Sequence, residues 1–561
     1  MEEMRPKKLS AQSFAFVPIL NSFQVNVERV NSLPQNSTPS MSVNLIFPVI
    51  CIILQLPEST NCLTCSDDGT YLTLGHSGGF SVWSVGSLRC EAEWLQDRLE
   101  ITSIHMTRTS ETAYLLGTID DMGVARIFVY NLEGIYPFSV INMLDDINKR
   151  SVCFYFELSK GGEHGAIIMK CNSEIWLEIY YFPIQDWLRE LKDPKISANM
   201  KWSAAVRVNR VNPSTAITTE VPTILSHFLV LDETSEPPRH CTPHFLLCCG
   251  HSYGKNKAKP GSPLAVCFWW NGSYNLLYLL LSKTPKAKQD PEPPPLVLWA
   301  NAAEIVCSAV SMCTRFIALG LSNDLLCVWD RLSGSPLSIS GVSTDSSFLR
   351  LHFVDYWPAY ADNTPTLIAG EIHLVTLCES GAVHVVSMGR GTATSIVQLS
   401  PRPKDSGDLP TVAASVPFLQ GLSLVVRRNG KMFLQDVVNR ATVSVLSLPA
   451  SHLLATPCNP IYALNVKHRI LFIRADQEPT PGTSSLDDPS QSRLLIMRFD
   501  EHDAIKPYVV SHPESPWQQK TSLVTGEEAC NLYLQQRALS MDERHKAITQ
   551  TWKRLRCATT M

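Results

Sequence analysis

The segment Thr70–Ser84 reads TYLTLGHSGGFSVWS, and the segment Arg315–Asp330 reads RFIALGLSNDLLCVWD. Both run from an aromatic residue through apolar residues to a Leu-Gly pair, and then through a polar turn into a strand-like stretch that ends in Val-Trp. The glycine precedes the tryptophan by eight residues in the first segment and by nine in the second. A matched pattern in two distant parts of one chain indicates an internal repeat.

Weaker forms of the same unit recur along the chain. Each consists of an apolar strand, a turn rich in Gly, Asn, Asp or Ser, and a second strand, which is typical of a β-hairpin. Taking the end of each unit as a mark, we find eight marks: Trp83, Tyr130, Tyr180, Trp270, Trp329, Val386, Gln435 and Phe499. The marks lie 47 to 64 residues apart, except for one interval of 90 between Tyr180 and Trp270.

Such a unit cannot bury both faces of its small sheet alone, so neighbouring units must stack around an axis. The sequence therefore predicts an all-β fold, an irregular WD-type β-propeller of seven or eight blades with a C-terminal helical tail. Trp329-Asp330 is the one Trp-Asp dipeptide in the sequence. The predicted domains are a partly ordered N-terminal extension (1–55), the propeller (56–510) and the tail (511–561). The alternative is an unrelated all-β protein with fortuitous spacing.

Composition limits the classes of function. Lys and Arg total 48 against 52 Asp and Glu, a net charge of −4, which argues against a nucleic-acid binder. The 17 cysteines are odd in number and mostly lie in apolar runs, as free cysteines do in a reducing compartment. The apolar stretch Val43–Leu56 spans 14 residues and contains Pro48, too short to cross a membrane, so we expect one or two buried strands there and no membrane partner.

Gly75-His-Ser77-Gly-Gly79 matches the G-x-S-x-G pattern, which in α/β-hydrolases places a nucleophilic serine between a strand and a helix. Here the residues that follow alternate as a strand, and the matching repeat carries Ser322-Asn-Asp324 at the same turn. We interpret Ser77 as a turn residue, and we expect no catalytic residue and no enzymatic activity. Phosphate-binding glycine loops are missing from the sequence as well, so we expect no cofactor.

Two groups of cysteine and histidine residues raise the question of a metal or redox site. Cys62 and Cys65 form a C-x-x-C motif, but they fall on a predicted strand, where residues three apart point to opposite faces. The second group is His240, Cys241, His244, Cys248, Cys249 and His251, whose spacing matches no recurring zinc site. We interpret the first as core packing and the second as a strand with polar loops, and we expect no metal ligand.

The C-terminal segment differs from the rest of the chain. Thr525–Glu528 and Ser540–Glu543 are capping boxes, and an apolar stripe at helical spacing follows the second. We predict that this helix contacts a partner through three apolar anchors and two rim charges: Ile548, Trp552, Leu555, Arg554 and Arg556. The alternatives are a helix that docks on its own propeller and a basic calmodulin target. Lysine-bearing loops at Ser252–Gly261 and Lys283–Pro295 are expected to be solvated, or to face an anionic surface such as tubulin.

The segments LPESTNCLTCSDDGTYLTLGHSGGFSVWSV (56–85) and TGEEACNLYLQQRALSMDERHKA (525–547) resemble the family of WD repeat-containing protein 93, and the resemblance extends from Leu56 to the end. It implies a scaffold in the cytoplasm, cytoskeleton and cilium axoneme of motile cilia and sperm flagella. There it would belong to a projection on the central pair of microtubules, part of a large hetero-complex with other axonemal scaffold proteins. Residues 1–55 do not share the resemblance.

Three alternatives stay open at this point. One is a general cytosolic propeller adaptor, such as a ubiquitin-ligase receptor or a trafficking component. The second follows from the family's similarity to an iron–sulfur accessory subunit of respiratory complex I, which implies an electron-transport association. The cysteines show no cluster-binding spacing that would support redox work. An enzyme that uses Ser77 or the group at His240–His251 is the remaining rival.

Overall fold

The computed structural model describes residues 26–27, 50–56, 59–142, 151–172, 174–192, 202–213, 240–247, 263–281, 296–301, 303–331, 335–342, 347–354, 372–389, 394–449, 452–477, 492–499, 505–509, 546 and 549. The strands within these residues form eight antiparallel sheets in chain order. The chain is therefore an eight-bladed β-propeller, which confirms the predicted fold class and decides between seven and eight blades.

Blades 1 to 7 each contain four strands that run in sequence from the axis of the ring to its rim. The inner strands are Cys62–Cys65, Ile101–Arg108, Val152–Leu158, Cys241–Leu247, Ile305–Val310, Phe348–Val354 and Pro410–Ser415. The second strands are Tyr71–His76, Ala113–Asp120, His164–Cys171, Pro263–Trp270, Phe316–Leu321, Ile372–Cys378 and Leu422–Arg427. The third strands are Gly79–Ser84, Ala125–Asn131, Glu174–Tyr181, Asn275–Leu280, Leu325–Asp330, Val383–Met388 and Met432–Asp436. The outer strands are Arg89–Leu95, Gly134–Val140, Val206–Val211, Leu296–Ala300, Ser335–Gly341, Ser395–Ser400 and Ala441–Leu446.

Blade 8 combines strands from the first 55 residues with strands that follow blade 7. Its inner position is shared by His452–Leu454 and Tyr462–Asn465, which both pair with Ile470–Gln477. The next strand is Ser492–Arg498, and beyond it lies Ile50–Gln55, with the short strand Asn26–Val27 at the edge. The ring thus includes Ile50–Gln55, a strand expected from the apolar run but located before the predicted start of the propeller at Leu56.

The strand patterns follow from stacking of the blades. Every residue of Tyr71–His76 and of Ala113–Asp120 is buried, because neighbouring blades cover both faces of a second strand. The outer strand Arg89–Leu95, at the rim, alternates between exposed and half-buried residues. Continuous apolar runs such as these are therefore expected in the middle strands of the blades.

We call the face on which the inner strands begin the upper face, and the opposite one the lower face. Turns between second and third strands lie on the upper face, where the Cys153 amide donates to the Gly123 carbonyl at 2.8 Å between blades 2 and 3. Turns between inner and second strands lie on the lower face, where Asp67 of blade 1 accepts from the Thr107 hydroxyl of blade 2 at 3.0 Å. Hydrogen bonds on both faces therefore fix the blades to one another.

The matched segments that indicate the repeat occupy the same positions in blades 1 and 5. Gly75 pairs with Cys62, and Gly320 pairs with Cys307. A Cβ atom at Gly75 would lie 2.5 Å from the Cys62 sulfur, and one at Gly320 would lie 2.7 Å from the Cys307 sulfur. The glycine of the repeat is therefore required by close packing against the inner strand.

Two local expectations differ from the structure. The mark Trp270 lies at the end of the second strand of blade 4, whereas Trp83 and Trp329 lie on third strands. The helix Ile184–Lys192 in blade 3 has no counterpart in the sequence prediction. It packs through the fully buried Trp187, whose indole nitrogen donates to the Ser203 carbonyl at 2.6 Å. No helix of the described chain is long and apolar enough to span a membrane.

After blade 8 the chain returns to the lower face of blade 7. The Tyr508 hydroxyl, in the 3₁₀ helix Lys506–Tyr508, donates to Asp436 at 2.9 Å, and Val509 forms a bridge with Leu419. Ile505 is buried in the core beneath them. Val509, the last described residue before the predicted tail, therefore lies on the lower face.

Candidate functional site

A β-bulge recurs at the upper end of the inner strands. In five blades the pairing register between the inner and second strands shifts by one residue near the start of the inner strand. The residues left out of the pairing are Thr102, Phe154, Val306, Leu349 and Thr411. A bulge of this kind turns a side chain away from the sheet, so each of these blades presents one side chain at the upper face.

Threonine at this position uses its hydroxyl to bond a carbonyl of the neighbouring strand. The Thr102 hydroxyl donates to the Ile119 carbonyl at 3.2 Å, and the Thr411 hydroxyl donates to the Val426 carbonyl at the same distance. Phe154 and Leu349 have no such group, and 40% of Phe154 and 47% of Leu349 stay exposed. The bulge itself does not require an apolar residue, since blades 2 and 7 have threonine at this position.

Phe154 lies beside further exposed apolar residues. Val152 is 41% exposed, and Met122, in the second-to-third turn of blade 2, is 55% exposed. The two segments touch, because a Cβ atom on Gly123 would lie 2.2 Å from the Val152 side chain. We call Met122, Val152 and Phe154 the apolar patch. It combines side chains from blades 2 and 3 on the upper face.

The apolar patch has a fixed backbone. The Asn142 side-chain amide donates to the Gly123 carbonyl at 2.8 Å and to the Ser151 carbonyl at 2.7 Å. Its oxygen accepts from the Ala125 amide at 2.8 Å. Asn142 is 5% exposed and thus braces the turn of blade 2 against the start of blade 3. Exposed apolar residues on a rigid framework are typical of a protein-binding surface.

Ser77 lies in the turn between the strands Tyr71–His76 and Gly79–Ser84. A strand follows it rather than a helix, so the nucleophile-elbow geometry is not formed. Gly79 has φ +132°, and a Cβ atom there would lie 2.1 Å from the Trp94 carbonyl oxygen. Close approach of the outer strand therefore explains this glycine.

Cys62 and Cys65 diverge, as predicted for two residues three apart on a strand. The Cys62 thiol donates to the Ile101 carbonyl in blade 2 at 3.6 Å, whereas Cys65 packs with the core between blades 1 and 8. Burial raises the pKa of both thiols to about 12. Both are therefore protonated at neutral pH, and the interpretation as core packing is confirmed.

The group His240–His251 is described in part, because Cys248, Cys249 and His251 lie outside the described residues. Cys241 is fully buried against blade 3. The His244 ring nitrogen Nε2 lies 2.8 Å from the Ser308 hydroxyl of blade 5, which also accepts from the Trp269 indole at 2.8 Å. His244 therefore links blades 4 and 5. Nowhere in the described parts of the chain do three His, Cys, Asp or Glu side chains gather as metal ligands.

The buried histidines predict a pH dependence of stability. Burial lowers the pKa of His244 to about 4 and that of His352 to about 3, from an ordinary value of 6.5. The unfolded chain therefore binds more protons below pH 6.5, and stability is lost as the pH falls from 6.5 through these values. Burial raises the pKa of Glu157 to about 7, which acts in the opposite direction between pH 4.5 and 7.

Replacing His244 by Gln is expected to flatten the acid dependence, because Gln keeps a hydrogen-bonding group near Ser308 but does not titrate. Urea unfolding at pH 7.5, 6 and 5 should show a smaller loss of unfolding free energy for His244→Gln than for the native chain. Glu157→Gln should instead steepen the loss. Equal slopes for all three proteins would contradict this assignment.

A cavity of about 530 Å³ lies between the inner strands of blades 8 and 1. Thr64, Asp67 and Tyr462 are among its lining residues. The two oxygens of Asp67 already accept hydrogen bonds from the Thr107 hydroxyl and the Arg108 amide. The cavity marks the seam of the ring, and we assign no ligand to it.

The tail residues predicted to contact a partner lie outside the described residues. These are Ile548, Trp552, Arg554, Leu555 and Arg556, and the structure does not test them. The lysine-bearing loops Ser252–Gly261 and Lys283–Pro295 also lie outside. The apolar patch and the exposed Leu349 were not predicted from the sequence.

Comparison with known proteins finds one matching family model. The family model of WD repeat-containing protein 93 matches residues 60–230 and 221–326, from blade 1 into blade 5. Among solved structures, the C-terminal WD40 domain of Sif2 shows 11% identity and a TM-score of 0.42, over 79% of this chain and 98% of that one. Sqt1 of Saccharomyces cerevisiae shows 8% identity and a TM-score of 0.44, over 80% and 98%. Sqt1 of Chaetomium thermophilum, bound to the N-terminus of ribosomal protein L10, shows 11% identity and a TM-score of 0.44, over 78% and 97%. No statement about function follows from structural likeness of this degree.

Proposed function

Since this chain belongs to the family of WD repeat-containing protein 93, we propose that it is a non-catalytic scaffold within an axonemal assembly of motile cilia and sperm flagella. In this proposal it is part of a projection on the central pair of microtubules, located in the cytoplasm, cytoskeleton and cilium axoneme. Its partners are other axonemal scaffold proteins. The propeller fold and the family support the general role of a protein-interaction scaffold, and the axonemal place is our inference.

The observation that carries the proposal is the exposed apolar residue at the upper bulge. Phe154 and Leu349 occupy a position that threonine fills in blades 2 and 7, so the fold alone does not explain them. Completing the burial of a partly exposed Phe or Leu in an interface stabilises a complex by roughly 1 kcal/mol. Aromatic residues on a rigid surface are frequent anchors of protein interfaces.

The ends of the propeller also suit a scaffold. Val509, the last described residue before the predicted tail, lies on the lower face, whereas the apolar patch lies on the upper face. The ring would therefore hold one partner on its upper face while the tail begins on the other side. Tail contacts through Ile548, Trp552 and Leu555, with tubulin or calmodulin as possible targets, stay part of the proposal.

The double replacement Phe154→Thr and Leu349→Thr is expected to weaken partner binding about tenfold without unfolding the propeller. Threonine keeps part of each contact, so the two replacements together lose roughly 1.4 kcal/mol, which corresponds to that factor. The native chain and the variant would be expressed in ciliated cells, and axonemes would be extracted with rising salt. Mass spectrometry of the fractions then measures retention of the protein and of the central-pair proteins that accompany it.

Leu132→Thr is the matched control, because Leu132 is 71% exposed but lies in the third-to-outer turn of blade 2 on the lower face. A chain that ends before Thr525 tests the tail in the same extraction. If the double variant and the control are retained equally in the axoneme, the proposed role of the upper face in partner binding is wrong. A full-length protein that never enters the axoneme would contradict the axonemal place and leave a cytosolic adaptor.

A further inference from the structure

The upper face of blades 6 and 7 carries a concentration of positive charge. The linker Pro401–Leu409 leads from the outer strand of blade 6 to the inner strand of blade 7, and Arg427–Lys431 contains the second-to-third turn of blade 7. Together they hold five cations, which we call the basic platform: Arg402, Lys404, Arg427, Arg428 and Lys431. The chain as a whole has a net charge of −4, so the platform differs in sign from the average surface.

The two segments of the basic platform are fixed to each other by their backbones. The Arg428 amide donates to the Leu409 carbonyl at 2.9 Å, and the Asn429 amide donates to the Gly407 carbonyl at 2.8 Å. The Lys431 amide donates to the Asn429 side chain at 3.1 Å. The cations therefore project from a rigid surface, and binding a partner does not require the backbone to become ordered.

The carboxylates within the platform are used to hold this structure. Asp408 accepts from Arg427 at 3.1 Å and from the Asn429 side chain at 2.9 Å. Asp405 caps the 3₁₀ helix Ser406–Asp408 by accepting from the Gly407 amide at 3.0 Å. Glu379, in the adjacent turn of blade 6, is a further carboxylate on the upper face. Positive charge therefore remains in excess.

Four of the five cations keep their charge available. Arg402, Lys404, Arg428 and Lys431 are exposed, and none of them forms an ion pair with another described residue. Arg427, which pairs with Asp408, is the exception. A rigid surface with four available cations attracts negative charge and suits a ligand that spans several of them at once.

We propose that the basic platform binds an acidic peptide, a Glu- or Asp-rich segment of a partner protein. The inference rests on the proposed scaffold function and adds to it the chemistry of a second partner. This partner would bind the upper face at blades 6 and 7, across the ring from the apolar patch on blades 2 and 3. Because each exposed ion pair contributes little, a single carboxylate would bind weakly and a run of several is needed. The contact is correspondingly sensitive to salt, since exposed charges are screened within about 10 Å at 0.1 M ionic strength.

The test uses the full-length protein and a fluorescein-labelled peptide of ten glutamates, with binding followed by fluorescence anisotropy at 50 mM and 500 mM NaCl. Two double variants reverse the charge: Arg402→Glu with Lys404→Glu, and Arg428→Glu with Lys431→Glu. We expect each to weaken binding at least tenfold at low salt. The native protein should lose most of its affinity at high salt.

Arg89→Glu with Arg440→Glu is the matched control, because both arginines are exposed near the lower face and the net charge changes by the same amount. This control should bind the peptide like the native chain. Equal weakening by the control would show a response to net charge alone and overturn the proposal. Tighter binding of a single-stranded oligonucleotide than of oligoglutamate would overturn it as well, in favour of a general polyanion surface.

The two proposals can fail separately. Loss of peptide binding in the platform variants, with axonemal retention unchanged, would support the acidic-peptide site whatever happens at Phe154. Normal peptide binding by both platform variants would overturn this inference and leave the test of Phe154 and Leu349 unaffected.

Discussion

Replacing Leu54 by Asp is expected to lower the free energy of unfolding by about 4 kcal/mol or more, because it introduces a charge into the seam of the ring. Leu54 is 7% exposed and packs into a core shared by blades 8 and 1, with Leu72, Leu74 and Phe472 among its members. A carboxylate placed among these apolar side chains loses most of its hydration, which is costly for a charged group. The chain then either buries the charge or releases the strand Ile50–Gln55, and both outcomes destabilise blade 8.

Urea unfolding followed by circular dichroism measures this effect, and Gln55→Asp is the control. Gln55 is the next residue of the same strand and is exposed, so a carboxylate there stays in water. Its expected effect is within about 0.5 kcal/mol. Limited proteolysis should also cut the N-terminal region of Leu54→Asp faster than that of the control. Equal stability of the two variants would mean that the strand does not close the ring.

The strand Ile50–Gln55, which closes the ring, shows which part of the fold could not be predicted from local sequence patterns. The run ICIILQ (50–55) indicates a buried strand, and the structure forms a strand there in which Leu54 is buried. Its partner Ser492–Arg498 lies more than 430 residues further along the chain. No turn or spacing connects the two segments, so the sequence pattern starts the propeller at Leu56 although the ring already includes the strand before it.

The repeat could be recognised where packing fixes the residue type. Gly75 and Gly320 must be glycine because the inner strand of their own blade leaves no room for a Cβ atom. The same reasoning fails in blade 4, where the mark Trp270 ends the second strand instead of the third. The loop between inner and second strands is long there, and the pattern of strand, turn and strand does not say which pair of strands it describes.

The apolar patch was missed because it depends on an irregular pairing. In the inner strand of blade 3, Cys153 and Phe156 are both buried although they are three apart, and Phe154 between them is exposed. Two buried residues that lie three positions apart on a strand are the signal of the bulge. Ile101 and Ile104 show the same spacing in blade 2. Whether the bulged residue faces solvent depends on its neighbours in space, which the sequence does not give.

The single Trp-Asp dipeptide leads to the second large effect. Replacing Asp330 by Ala is expected to lower the free energy of unfolding by about 3 kcal/mol, because it leaves a mostly buried arginine without its charge partner. Asp330 is 1% exposed and accepts two hydrogen bonds from Arg315, at 3.1 Å from Nε and 3.0 Å from Nη2. The Arg315 side chain is 17% exposed and cannot be fully hydrated in its place.

Asp408→Ala is the control, since it removes the same kind of pair from an exposed site. Asp408 and Arg427 lie 3.1 Å apart, with side chains 38% and 32% exposed, and such a pair contributes about 0 to 1 kcal/mol. Chemical denaturation of both variants and of Arg315→Ala with Asp330→Ala completes the comparison. Because the double variant leaves neither charge buried alone, it should be more stable than the sum of the single changes predicts. Equal losses of unfolding free energy for Asp330→Ala and Asp408→Ala would contradict this prediction. They would mean that burial does not set the strength of the Arg315–Asp330 ion pair.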